Sequence, residues 1–129
     1  MSESAELYPR GIALVIGGSG GVGQAISKAL SDNNVPVCLT YNRNHVGAQE
    51  VVAHCGGAAK HISCAQVDVQ DIDTLRRCVD EALDKYGRLH SVFLAMGYDI
   101  PQSPISEVTP ELWQRVMRSD AEGAFNVVH

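Results

Sequence analysis

The chain has 129 residues, 45% hydrophobic and 19% charged, with a formal net charge of −5 at pH 7. No apolar tract approaches the roughly 20 residues of a membrane-crossing helix, and Lys and Arg are not clustered as a nucleic-acid surface requires. One globular unit with a small-molecule ligand, and with neither nucleic acid nor membrane as partner, is therefore expected. Residues 1–10 carry Glu3 and Glu6 and no apolar h-region, so they read as an N-terminal extension without a secretory or transit signal. The cytoplasm is the expected compartment. Cys38, Cys55, Cys64 and Cys78 include no C-x-x-C pair, and together with His54 and His61 they match no zinc spacing. Reduced, buried thiols and no metal are expected.

From residue 11 onward, apolar runs alternate with helical patterns, the signature of βαβ units and a parallel sheet covered by helices. Residues 11–16 (GIALVI) form a continuous apolar run ending in glycines, as a buried parallel strand does. A helix is predicted over 21–30. Residues 35–40 (VPVCLT) read as a second strand with Pro36 near its start, and 45–54 as a weaker helix. A third strand is predicted over 61–67. The helix over 71–86 repeats Ile72, Leu75, Val79, Ala82, Leu83 and Tyr86 at three- and four-residue steps, with Gly87 as its stop. Residues 90–96 (HSVFLAM) supply a fourth strand and 98–109 a loop. Thr109 and Pro110 then open a last helix as N-cap and first position.

The cluster Gly17-Gly18-Ser19-Gly20-Gly21-Val22-Gly23 falls between the first strand and first helix. A strand, a tight turn and a helix N-terminus are what a pyrophosphate needs, because backbone N–H groups can approach it and the helix dipole favours its charge. Two registers fit. Gly18, Gly20 and Gly23 satisfy G-x-G-x-x-G, whereas Gly17, Gly21 and Gly23 satisfy G-x-x-x-G-x-G. The second strand ends in Thr40-Tyr41-Asn42-Arg43 with no carboxylate to hold a ribose 2′-hydroxyl. A cation there suits a 2′-phosphate, so NADP(H) is expected in preference to NAD(H), which stays possible.

These segments together resemble the classical short-chain dehydrogenase/reductase family, whose first strand is followed by Thr-Gly-x-x-x-Gly-x-Gly. The corresponding stretch runs from Ile16 to Gly23, with Ile16 in place of Thr, and includes Ser19, Gly20 and Val22. Similarity continues at Asp68-Val69, which the resemblance places against adenine, at Gly87-Arg88-Leu89-His90, and at the helix opening Glu111-Leu112-Trp113-Gln114-Arg115-Val116. The family's Asn-Asn-Ala-Gly is Leu94-Ala95-Met96-Gly97 here, so backbone roles toward the cofactor are expected at Ala95, Met96 and Gly97. The implied fold is a Rossmann-type α/β doubly wound parallel sheet with helices on both faces, incomplete at about four strands and spanning residues 11–129. The implied activity is hydride transfer between a nicotinamide and a carbonyl or alcohol substrate.

On a wheel of about 100° per residue counted from Leu112, the last helix shows an apolar arc of Trp113, Val116, Met117, Ala124, Val127 and Val128. Asp120 falls near the middle of that arc, where a carboxylate is costly unless satisfied. It aligns with the family's catalytic Asn, implying a role in a water-linked proton relay; a structural role for a paired carboxylate is the alternative. The resemblance also implies pairing of subunits through this helix.

No Tyr in the chain is followed at the fourth position by Lys, and the family's catalytic Ser and Tyr-x-x-x-Lys are expected beyond His129. The chain thus reads as a cofactor-binding half, inactive alone, with an exposed fourth strand. A non-catalytic dinucleotide sensor or scaffold on the same fold is the alternative. A methyltransferase is a weaker one, because an acidic residue is missing after the second strand.

Overall fold

The computed structural model describes residues 7–97 and 101–129. Four parallel strands, β1 (Ile12–Ile16), β2 (Val37–Tyr41), β3 (Ile62–Gln66) and β4 (Leu89–Leu94), lie in the order β3-β2-β1-β4. Helices α1 (Gly21–Asp32), α2 (His45–His54) and α3 (Ile72–Tyr86) connect them. This is the expected Rossmann-type sheet of about four strands, with β4 at an edge.

Central β1 is buried on both faces, and its alternation divides the core. Ala13 and Val15 meet Leu30, Ala48, Val51 and Cys55 from the α1 and α2 side, whereas Ile12, Leu14 and Ile16 meet Leu75, Cys78 and Ala82 of α3. Helix α1 turns Gly23, Ser27, Leu30 and Ser31 inward, and three small residues on that face let it lie close to the sheet. Helix α3 starts at Ile72 because Asp71 caps it, accepting from the Asp73 amide at 3.1 Å. Gly87, at φ 75°, ends it as expected.

Strand boundaries shift for identifiable reasons. Val35 donates to the Leu30 carbonyl and closes α1, and Pro36 has no N–H to give, so β2 begins two residues later than the apolar run. The β1–β4 pairing is irregular between Ile12 and Ala13, where Leu89 and Ser91 are the partners and His90 is passed over. Tyr8 is half-buried against the first core cluster, with its ring 5.8 Å from that of His90, so the described end of the extension touches the fold. The loop expected over 98–109 contains a 3-10 turn at Ile105–Glu107; its residues 98–100 lie outside the described residues.

The last helix is not one regular helix. Thr109 caps α4 (Pro110–Val116), accepting from Leu112 N at 3.1 Å, but Met117–Glu122 is π-helical and α5 (Gly123–Val128) comes after it. One extra residue in a turn rotates every later side chain by roughly 100° relative to a regular wheel. The expected apolar arc is corrected: after the segment Val128 is 79% and Phe125 63% exposed, and Trp113 and Met117, which precede the change of pitch, are exposed too, at 58% and 41%. Gly123 is buried, and Asn126, expected on the polar side, is half-buried.

Candidate functional site

The chain runs from β1 through β2 to β3 on one side, then crosses to place β4 on the other side of β1. The carboxyl ends of β1 and β4 therefore flank a topological switch point, the place where open α/β sheets leave a crevice. The glycine loop leaves β1 there.

Internal packing separates the glycines by role. Gly17 has φ +78°, and a Cβ on it would stand 2.8 Å from the Met96 backbone. A Cβ on Gly18 would collide with the Leu39 side chain, and one on Gly23 with the backbone of Gly17 and Gly18. Gly20 meets only the Gly17 carbonyl at 3.7 Å, and Gly21 meets nothing within 4 Å. Gly17 thus makes the turn and Gly23 brings α1 onto it, while Gly21 is bare on its outer side. Gly17, Gly21 and Gly23 fit the G-x-x-x-G-x-G register in this way, and tight Gly18, nearly bare Gly20 and tight Gly23 fit G-x-G-x-x-G as well.

The amides divide likewise. Gly17 N donates to Thr40 Oγ1 at 3.2 Å, Gly18 N to the Thr40 carbonyl at 3.0 Å, and Gly20 N to the Gly17 carbonyl at 3.3 Å. These three face inward and are already bonded. Ser19, Gly21, Val22 and Gly23 have no hydrogen-bond acceptor for their amides among the described residues, and they surround the N-terminus of a 12-residue helix. Unbonded amides at a helix N-terminus are the kind of group that suits an anion, and here an anion would displace no protein contact.

Beside the loop is a cavity of about 170 Å³ lined by Ile16, Gly17, Thr40, Tyr41, Asn42, Val67, Val69, Met96, Gly97 and Ser119. Of the residues expected at the cofactor, Gly17, Tyr41, Asn42, Val69, Met96 and Gly97 therefore share one wall system. Ser19, Gly20, Gly21, Val22, Gly23, Arg43, Asp68 and Ala95 do not line it. Arg43 is exposed beyond the end of β2 and forms no salt bridge among the described residues, while its carbonyl accepts from His45 N at 3.1 Å. The Tyr41 ring lies 5.1 Å from that of His45, and the Asn42 carbonyl accepts from Gln66 Nε2 at 3.1 Å. Asp68 uses its Oδ1 to accept from Gln70 N at 2.9 Å, and its N–H donates to Thr74 Oγ1 at 3.0 Å. The carboxylate thus shapes the loop after β3. Ala95 N donates to the Ile16 carbonyl at 2.8 Å, the last bond joining β4 to β1.

Asp120 is half-buried within the π-helical segment and does not line the cavity, whereas its neighbour Ser119 does. Segments of this kind recur at functional sites. Sequence reasoning missed Thr40, Ser119 and Asn126. A hydroxyl at the end of the strand beside a glycine loop is a usable signal for Thr40; Ser119 and Asn126 reach their positions through the π segment, which leaves no mark in the residue pattern.

The sequence profile described as short chain dehydrogenase matches residues 11–129. A versicolorin reductase of Emericella nidulans is 30% identical over 116 residues, covering 90% of this chain and 44% of that protein. A trihydroxynaphthalene reductase of Pestalotiopsis fici is 28% identical, covering 90% and 41%. Among solved structures, a 3-ketoacyl-ACP reductase from Sinorhizobium meliloti superimposes with a TM-score of 0.81 at 27% identity, covering 92% of this chain and 46% of that one. The chain spans less than half the length of these relatives.

Proposed function

Because the chain belongs to the short chain dehydrogenase family, we propose that it is the cofactor-holding part of an NADP(H)-dependent oxidoreductase acting on a small carbonyl or alcohol. The observation that carries this reading is the set of open amides at Ser19, Gly21, Val22 and Gly23 around the bare Gly21. They accept the diphosphate. The cavity between Tyr41, Asn42, Val69 and Met96 takes the adenosine end, with Asp68 and Val69 toward adenine. Arg43, unpaired by any carboxylate among the described residues, meets the 2′-phosphate.

A nicotinamide dinucleotide, when bound, would supply or accept the hydride. Gly97 and the backbone of Ala95 and Met96 would line the cofactor. Asp120 accepts hydrogen bonds from a water that passes protons toward the reacting oxygen. The proton donor itself is proposed to lie in residues beyond this chain, so the chain alone binds without turning over. The cytoplasm is the proposed compartment. The exposed stripe of Trp113, Met117 and Phe125 supports pairing of two copies through the last helix.

A second reading, a dinucleotide sensor or scaffold, is favoured by Leu94-Ala95-Met96-Gly97 and by Asp120, which alter two family positions. Titration of the full-length protein with NADPH and NADH, following nicotinamide fluorescence and turnover together, tests both. NADPH should bind more tightly, and Arg43→Glu should reverse the order. Failure of either dinucleotide to bind overturns the proposal, and binding without turnover on any carbonyl favours the sensor.

A further inference from the structure

Asn126 stands at the far end of the last helix, yet its Nδ2 donates to the Val69 carbonyl at 2.8 Å. Val69 forms part of the cavity wall. The same helix holds Val69 a second time: a Cβ on buried Gly123 would stand 2.6 Å from Val69 Cγ2 and 3.3 Å from Met96 Cε. Met96 lies on the wall that leaves β4. One hydrogen bond and one bare glycine therefore join the last helix to both walls of the cavity.

The other bonds of the loop after β3 do not make this connection. Asp68 Oδ1 accepts from Gln70 N, and Thr74 Oγ1 contacts the Asp68 and Asp71 carbonyls at 3.0 and 2.8 Å, all within the loop and the start of α3. They shape the loop without fixing its distance from Met96. The Asn126 bond can fix it, because Asn126 comes after the π-helical turn that brings its side chain inward.

We infer that Asn126 is a positioning residue for the adenosine end of the nucleotide, holding the Val69 carbonyl so that the loop after β3 stays at binding distance from Met96. This rests on the nucleotide reading given above. A loop free to drift is binding-competent for only part of the time, and apparent affinity falls in proportion.

The test uses the full-length protein and the probe 2′,5′-ADP, which carries the adenosine end alone. Asn126→Asp keeps the shape and removes the donor. Its Kd for 2′,5′-ADP should rise about fivefold to tenfold, the effect of one hydrogen bond, when measured far below the melting midpoint. A merely destabilised protein remains folded there and binds as wild type does. Equal Kd values overturn the positioning role and leave the nucleotide reading intact; absence of binding to wild type overturns both. Should Asn126→Asp fail to fold, the Asn126 side-chain amide resonance of the wild-type protein decides. It should shift and exchange more slowly with saturating 2′,5′-ADP, and an unmoved signal overturns the inference.

Discussion

Gly21 and Gly23 are two residues apart on the first turn of α1, and alanine at each should have opposite consequences. On Gly23 the added methyl would stand 2.6 Å from Gly18 Cα and closer still to the Gly17 carbonyl, both rigid backbone. Carbon atoms in contact prefer about 3.5–4.0 Å, so the start of α1 must retreat by roughly 1 Å. Overpacking of this kind costs about 1–3 kcal/mol. On Gly21 the methyl enters open space, and the helix preference for Ala over Gly, up to about 1 kcal/mol in a helix interior, is at least partly recovered. The same methyl occupies the side proposed above for the diphosphate. Thermal melts of the unliganded proteins and NADPH titrations separate the effects. Gly23→Ala should lower the melting midpoint by several degrees and weaken binding. Gly21→Ala should melt at or above wild type while binding at least about tenfold more weakly, equivalent to 1.4 kcal/mol. Wild-type affinity in Gly21→Ala would refute the assignment of these amides to the ligand, and a common loss of stability in both variants would refute the packing argument.

Thr40→Val should destabilise the protein by about 1–3 kcal/mol, because the Gly17 amide loses the acceptor it reaches at 3.2 Å, and Thr40→Ser should restore most of the loss in a denaturant titration. Burial first, and then the charge of Arg88, hold the His90 imidazole below its ordinary pKa, and its Nε2 is buried with no hydrogen-bond partner among the described residues. The unfolded chain therefore takes up this proton first, so stability should fall as pH drops below about 6.5 and level off once the folded form is also protonated. His90→Gln should flatten that part of the profile. Cys55 is pushed up by burial, and Cys78 by its hydrogen bond to Cys38 and then by burial. Mass spectrometry after iodoacetamide at pH 8 should find both thiols unmodified in the native protein and alkylated once urea unfolds it.

The strands and helices were legible because each is marked by its own residue pattern, and the resemblance supplied the sheet that joins them. Residues 11–16 read as a buried parallel strand because the apolar run is short and ends in glycines, which mark a turn into a helix. The residues around 87–89 announce the end of α3 and the start of β4. The sequence did not say which glycines are packed and which are open, since that depends on how near Met96, Leu39 and the loop's own carbonyls come to each Cα. Those distances depend on tertiary packing. The helix wheel misplaced Asn126 and Val128 for a related reason: it assumes one pitch throughout, and the π-helical turn at Met117–Glu122 breaks that assumption. The same wheel flagged Asp120, which lies inside the π-helical segment.

The pairing of β1 with β4 has a kinetic consequence. β1, β2 and β3 are neighbours in sequence and in space, so they can assemble through short βαβ steps, whereas Val15 finds Phe93 only after the whole intervening chain is in place. Closing that longer loop adds only about 0.6 kcal/mol per doubling of length, yet long-range pairing slows folding. Met96 and Gly97 come directly after β4, so the wall they form arrives with the late step. A refolding chain should therefore acquire most of its helical signal before it can capture nucleotide, and the lag between the two reports the docking of a single strand.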